Sequence, residues 1–324
     1  MSDILQGEGL VGLTEVEAAA RRLAGVAVRT PLLPADIVSE ITGANVRLKC
    51  ESLQRAGSFK IRGAYNFVSQ LSDEQVAAGI ITYSSGNHAQ AVALSGKLRG
   101  VRAVVVMPTT APKVKRDGAE RLGAEVIYEG TTSLERRAKA EEIAEEQGLV
   151  IVPPFDHRHI IAGQGTVGLE IAREWPDVDL VLAPIGGGGL ASGVAASIKR
   201  LLPAARVIGV EPAGAASMRK ALDEERPVLI KEIDTIADGL APVMAGELTY
   251  EHALNLMDDV VTVSDDAIRE ATSLLVSKQK LIVEFSGAAA TAALLSKAVE
   301  AEDARVAVVI SGGNLDPTLL AGVA

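Results

Sequence analysis

Lys60 lies in the run Gly57-Ser58-Phe59-Lys60-Ile61-Arg62-Gly63-Ala64, a setting that lets a folded chain control the charge on its amine. Ser58 reads as a helix N-cap, able to accept a bond from an orphan backbone N–H. Ile61, Ala64, Tyr65, Val68 and Leu71 then recur at helical spacing. Lys60 therefore falls in the first turn, at the positive end of the helix dipole. That position and partial desolvation both disfavour an ammonium. An amine that loses its proton readily suits Schiff-base chemistry with a carbonyl compound. The plain alternative is an amphipathic helix with a solvated lysine, and this run alone favours it. Three Gly- and Ser-rich turns elsewhere reverse that preference.

Gly186-Gly187-Gly188-Gly189-Leu190 follows the apolar run 180–185 and precedes a helical pattern through Ala191, Val194, Ala195, Ile198 and Leu201. Successive glycines let several N–H groups converge, and a helix N-terminus adds positive potential, so the loop suits a phosphate monoester. No Walker lysine and hydroxyl follow, and neither a spaced third glycine nor a ribose-binding acid stands out, which leaves a nucleotide unsupported. A tight strand-to-helix turn is the other reading.

Ser84-Ser85-Gly86-Asn87-His88-Ala89-Gln90 opens a helix directly after a strand. It could hold a substrate carboxylate, or it could be ordinary capping. His88 reads as a loop hydrogen-bonder rather than a catalyst, and no nucleophile–base–acid arrangement surrounds Ser84 or Ser85. Ser311-Gly312-Gly313-Asn314 offers a hydroxyl that can bond a ring nitrogen without protonating it, or is simply another turn. Asp156-His157-Arg158-His159 has the look of a metal cluster, but Arg158 in its middle points to a solvated loop. Glu211 could take a hard cation, although one carboxylate is a thin ligand set.

The elements that must hold these residues are legible as short β-branched runs alternating with helical patterns. Strands are expected at 80–83, 101–107, 125–128, 149–152, 180–185, 206–210, 260–263 and 306–310, with helices near 112–122 and 134–147. Alternation of this kind implies an α/β fold: open, mostly parallel sheets flanked by helices, with right-handed crossovers. The glycine-rich turns all fall at the carboxyl ends of strands, where open parallel sheets bind ligands. Two lobes are expected, a larger one from 1–72 and 153–324 and a smaller one from 73–152.

The chain of 324 residues is 48% apolar but only 3% aromatic, so its core must be built from Ala, Val, Ile and Leu. A formal charge of −10 argues against nucleic acid and anionic membranes as partners. Cys50 is the sole cysteine and reads as a buried, inert thiol; no intramolecular disulfide can form, which suits a reducing cytoplasm. Residues 1–10 do not read as a signal peptide, and no apolar stretch is long enough to span a bilayer.

Taken together and in this order, the motifs resemble the fold-type II, tryptophan synthase β-like pyridoxal-phosphate (PLP) enzymes, closest to the threonine/serine dehydratase and serine racemase family. The resemblance runs from Ser58–Ala64 through Ser84–Gln90, Ala162-Gly163-Gln164-Gly165-Thr166, Gly186–Leu190, Gly209-Val210-Glu211-Pro212 and Ala237-Asp238-Gly239 to Ser311–Asn314. It implies that Lys60 attaches the cofactor covalently, that Phe59 packs on its ring and that Asn87 bonds the ring hydroxyl. Gly186, Gly187, Gly188, Gly189 and Leu190 would hold the phosphate, Ser311 would face the ring nitrogen, and Gly239 and Glu284 would line the pocket. Ser84, Ser85, Gly86 and His88 would embrace the substrate carboxylate.

Three positions depart from the resemblance. Ser85 stands where threonine dehydratases usually carry alanine, whereas racemases and 3-hydroxyaspartate dehydratases carry serine; this hydroxyl could act as acid or base on the cofactor face opposite Lys60. Ser217 stands where racemase-like members place a second metal-binding acid beyond Glu211, which makes a cation site doubtful. Pro153 stands where many dehydratases have histidine. Little chain follows Asn314, so a C-terminal regulatory domain is not expected.

The favoured activity is PLP-dependent β-elimination of L-threonine or L-serine to a 2-keto acid and ammonia, in a cytoplasmic homodimer or higher homo-oligomer. The alternatives are serine racemisation or 3-hydroxyaspartate dehydration, and, from another class, a non-catalytic binder of a phosphate ligand.

Overall fold

Runs rich in Val, Ile, Leu and Ala become strands covered on both faces, as parallel sheets require. The structure, a computed structural model, describes residues 9–84, 86–111, 113–316 and 318, and at 113–115 the backbone alone. Its strands are β1 Leu32–Pro34, β2 Asn45–Cys50, β3 Ile80–Tyr83, β4 Ala103–Met107, β5 Glu125–Tyr128, β6 Val150–Ile151, β7 Leu180–Pro184, β8 Arg206–Pro212, β9 Asp259–Val263 and β10 Arg305–Ile310. They form a six-stranded sheet in the order β1-β2-β10-β7-β8-β9 and a four-stranded sheet in the order β5-β4-β3-β6. Only β1 runs antiparallel, against β2. The eight strands expected from the sequence are all present, and β1 and β2 complete the larger sheet.

Scarce aromatics have a geometric consequence. The helix Phe285–Leu295, with the sequence FSGAAATAALL, is buried through Leu294 and packs against the six-stranded sheet through small side chains. Three further helices approach one another even more closely. Lys60–Val68 and Gly189–Leu201 both lie on Arg158–Glu174. A Cβ at Gly163 would stand 2.5 Å from the Arg62 carbonyl oxygen, and one at Gly193 would stand 2.4 Å from the Gly165 nitrogen. The Ala162–Thr166 motif is therefore a packing motif: it sets the lysine helix and the glycine-loop helix at fixed distances from a shared neighbour.

Charge fixes the lysine helix a second time. Arg62 is buried and donates to both carboxylate oxygens of Glu51 at 2.8 Å and to Glu170 at 2.7 and 2.9 Å. Lys49 reaches the same Glu170 at 2.6 Å, and Thr30 donates to Glu51. Burial by itself would raise the Glu51 pKa and lower that of Arg62; their mutual attraction outweighs it, holding the carboxyl below its ordinary range and the guanidinium above.

Removing one partner from such a cluster leaves a buried charge uncompensated. Arg62→Ala should cost about 3–5 kcal/mol in urea denaturation. Arg29→Ala removes an exposed 3.4 Å pair with Glu174 and should cost no more than about 1 kcal/mol.

Candidate active site

The lysine helix starts at Lys60, with Phe59 as the residue before it. Ser58 does not cap it. Its backbone is extended and bridged antiparallel to Gly312, the Phe59 N–H donates to the Ser311 carbonyl, and the Ser58 hydroxyl has no hydrogen-bond partner among the described residues. Pairing with the turn after β10 thus replaces the side-chain cap and ties Lys60 to Ser311.

Lys60 faces a cavity of about 600 Å³ between the two sheets. Phe59, Asn87, Gly186, Gly187, Gly188, Gly189, Leu190, Gly239, Glu284 and Ser311 line it, as do Ser84, Gly86 and His88. Segments distant in sequence are brought together there by the carboxyl ends of β3, β7 and β10. Ser85 lies outside the described residues. Glu211 does not border the cavity: it is buried, its two oxygens accept the N–H groups of Met218 and Arg219 at 2.8 Å, and burial pushes its pKa up to about 7. Among the described residues, no group of three or more His, Cys, Asp or Glu could hold a metal ion.

The Lys60 amine donates to the Pro154 carbonyl at 2.8 Å. Desolvation brings its pKa from 10.5 down to about 8, against an opposing pull from Glu284. His88 is buried, with Nε2 3.0 Å from the Val152 carbonyl. A carbonyl only accepts, so Nε2 carries the hydrogen and Nδ1 is the bare nitrogen. Desolvation, with Lys60 nearby, lowers the His88 pKa to about 3 and keeps the ring neutral. It is a hydrogen-bonder, as expected, but from the first turn of the helix Asn87–Arg99 rather than a loop.

The glycine loop forms a cradle that side chains would fill. Gly188 has φ of +95°, and a Cβ on Gly187 would lie 2.2 Å from the Phe155 ring. Beyond it the first N–H groups of the Gly189–Leu201 helix lack intrahelical partners and present positive potential. Thr249 clamps the loop by donating to the Gly187 carbonyl at 2.7 Å.

Several lining residues escaped the sequence reading. Asp156 does lie in a loop, but a half-buried and anchored one: its carboxylate accepts the N–H groups of Glu247 and Thr249 at 3.0 and 3.1 Å, capping the helix Glu247–Leu256 beside the cavity. The neighbouring His157 and His159, which are not part of the cavity lining, stack edge-on with Phe67. Leu134, Arg136 and Arg137 from one side and Leu229, Val243 and Met244 from the other also border the cavity; no local pattern flags them, because their role depends on how the two sheets face each other.

A reactive lysine, an anion cradle and a polar wall around one cleft define an enzyme that holds a phosphorylated carbonyl cofactor. The chain belongs to the pyridoxal-phosphate dependent enzyme family, whose model matches residues 23–312. It is 42% identical over 311 residues to the L-threonine ammonia-lyase of Thermotoga maritima, covering 96% of this chain and 77% of that protein. It is 42% identical over 323 residues to a catabolic L-threonine dehydratase of Staphylococcus aureus, covering 98% and 93%. Among known structures it superposes on maize serine racemase with a TM-score of 0.93 at 37% identity, covering 96% of each chain. With the processed form of threonine deaminase isoform 2 from Solanum lycopersicum the TM-score is 0.89 at 40% identity, covering 97% and 94%. The cavity fits the cofactor: the glycine cradle leaves room that a Cβ would take, and the Lys60 amine opens onto the same space.

The lysine also gives a pH signature. In the cofactor-free protein the unfolded chain holds the Lys60 proton up to pH 10.5 and the folded chain only to about 8. Between those values the unfolded state binds more protons, so this group's contribution to stability rises with pH. Urea denaturation should find Lys60→Met more stable than wild type near pH 7, with the gap narrowing toward pH 10.5; a constant gap would contradict the desolvated amine.

Proposed function

We propose that this protein is a PLP-dependent ammonia-lyase that dehydrates L-threonine or L-serine, giving a 2-keto acid and ammonia. The observation that carries the reading is the 42% identity, over nearly the whole chain, to proteins named for the threonine reaction, in a chain whose Lys60 amine opens onto a glycine-cradled cavity.

Bound PLP supplies an electron sink for the bond broken at the substrate Cα. The N–H groups from Gly186 to Leu190 would hold its phosphate, Phe59 would flank its ring, Asn87 would donate to the ring oxygen and Ser311 would offer a hydroxyl to the ring nitrogen. Gly239 and Glu284 complete the wall. Ser84, Gly86 and His88 receive the substrate carboxylate, His88 without bringing a charge of its own. Lys60, with a pKa brought down to about 8, is the base that removes the Cα proton. The β-hydroxyl then departs with a proton as water, and hydrolysis of the remaining C–N bond releases ammonia.

Ser85 sustains a second reading. A hydroxyl on the face opposite Lys60 could return a proton from the other side and invert Cα, and the superposition on maize serine racemase favours keeping this alternative. The four-stranded unit, 73–152, acts as the smaller lobe and carries Ser84 to His88. Cytoplasmic location accords with a single, buried cysteine whose pKa burial raises to about 12. A homodimer accords with Leu53 and Ile282, both more than half exposed, on segments that Gly313 brings side by side.

Lys60→Ala should lower keto-acid formation by about 10³-fold or more. An NMR time course in D₂O with L-serine, D-serine, L-threonine and 3-hydroxyaspartate decides among substrates. Keto acid from threonine supports the lyase; enantiomer exchange of serine, lost in Ser85→Ala, supports the racemase. Wild-type rates in Lys60→Ala would sink both.

A further inference from the structure

Asn87 and Glu284, which line the cavity, form with Asn314 a relay whose polarity is fixed by chemistry. Asn314 donates from Nδ2 to the Ala56 carbonyl at 2.8 Å and to Asn87 Oδ1 at 2.7 Å. Asn87 in turn donates from Nδ2 to Glu284 Oε1 at 2.6 Å. Side-chain amides can stand either way round, so their orientation follows from their partners. A backbone carbonyl only accepts, which requires the NH₂ of Asn314 to face Ala56. That NH₂ has its second hydrogen toward Asn87, so Asn87 must turn its oxygen to Asn314. Its own NH₂ then meets the Glu284 carboxylate, another pure acceptor. Asn314 donates outward to both neighbours, and from it the relay runs one way through Asn87 to Glu284, leaving the second hydrogen of the Asn87 NH₂ for what occupies the cavity.

The surroundings are shaped around this arrangement. A Cβ on Gly57 would stand 2.2 Å from Asn314 Oδ1, and one on Gly312 would stand 2.1 Å from Glu284 Oε1. The Gly313 N–H donates to the Gly57 carbonyl at 2.9 Å. Asn314 thereby joins the turn that precedes Lys60, the turn after β10 and the start of the Asn87–Arg99 helix.

We infer that Asn314 is a positioning residue: it fixes which way the Asn87 amide faces, so that Asn87 presents an N–H and not a carbonyl to the cofactor ring oxygen. This rests on the reading of Asn87 as a contact of that ring. Asn314 and Glu284 hold Asn87 from opposite sides, and either one can orient it alone. Glutamine at position 284 could present its oxygen or its NH₂, so Glu284→Gln removes the demand for an NH₂ while keeping the shape.

The test is a double-mutant cycle with Asn314→Ala and Glu284→Gln, read as the dissociation constant of PLP from the holoenzyme by equilibrium dialysis and as the thermal midpoint of the cofactor-free chain. Each single change should weaken cofactor binding by less than about tenfold, and the pair should exceed the product of the two by about tenfold or more, while the shifts in thermal midpoint add. A residue that merely braces the turn at Ala56 predicts independent effects, so a paired loss within about twofold of the product overturns the inference. Asn314→Ser, too short to span Ala56 and Asn87, takes the same place in the cycle if the alanine protein is insoluble. Wild-type protein that fails to retain PLP at all would refute the proposed function and this inference with it; additive losses in a wild type that does retain it refute this inference alone.

Discussion

The ion cluster around Arg62 is the constraint on which the placement of Lys60 depends. Two positions beyond the reactive amine stands a guanidinium that is held by Glu51, the residue just after β2, and by Glu170 on the neighbouring helix. Burying these charges is no more favourable than burying apolar side chains of the same size. What it secures is position: any shift of the lysine helix separates charges already stripped of water. A glycine contact on the helix that carries Glu170 adds a steric limit, since Gly163 leaves no gap against the Arg62 backbone. The helix is thus held both by electrostatics and by hard-sphere contact with its neighbour.

The same desolvation tunes the groups facing the cavity. It costs most for charges without a strong partner, so His88 stays neutral and the Lys60 amine gives up its proton more easily. Glu284 partly offsets the effect on Lys60 and at the same time receives the Asn87 amide. One carboxylate therefore bears on both a protonation equilibrium and an amide orientation.

The sequence made the parallel strands legible because covered strands carry unbroken β-branched runs, as in Val104, Val105 and Val106. It made the site legible because glycine at 186–189, lysine at 60 and the polar turns at 84–88 and 311 are unusual where strands end. Ser58 misled because the same residue types cap helices and pair with strands; its partner Gly312 lies near the other end of the chain and leaves no local trace. Asp156 misled for a related reason. Its carboxylate caps a helix that begins at Glu247, so only the fold reveals that the Asp-His-Arg-His run is anchored. The cavity rim, from Leu134 to Met244, was illegible because it belongs to no single element.

The position of β10 carries a consequence for how the molecule is made. Strand β10 lies between β2 and β7, pairing with residues 45–50 on one side and with 180–182 on the other. Until residue 310 has left the ribosome, the β1–β2 ribbon has no neighbour to close against and the larger sheet exists as two separate halves. Long-range closure of this kind is slow and leaves strand edges open to misassociation. The four-stranded sheet, whose strands all fall within 80–151, can close during synthesis, so the newborn chain should pass through a stage in which one half of the future cleft is already shaped and waits for the other.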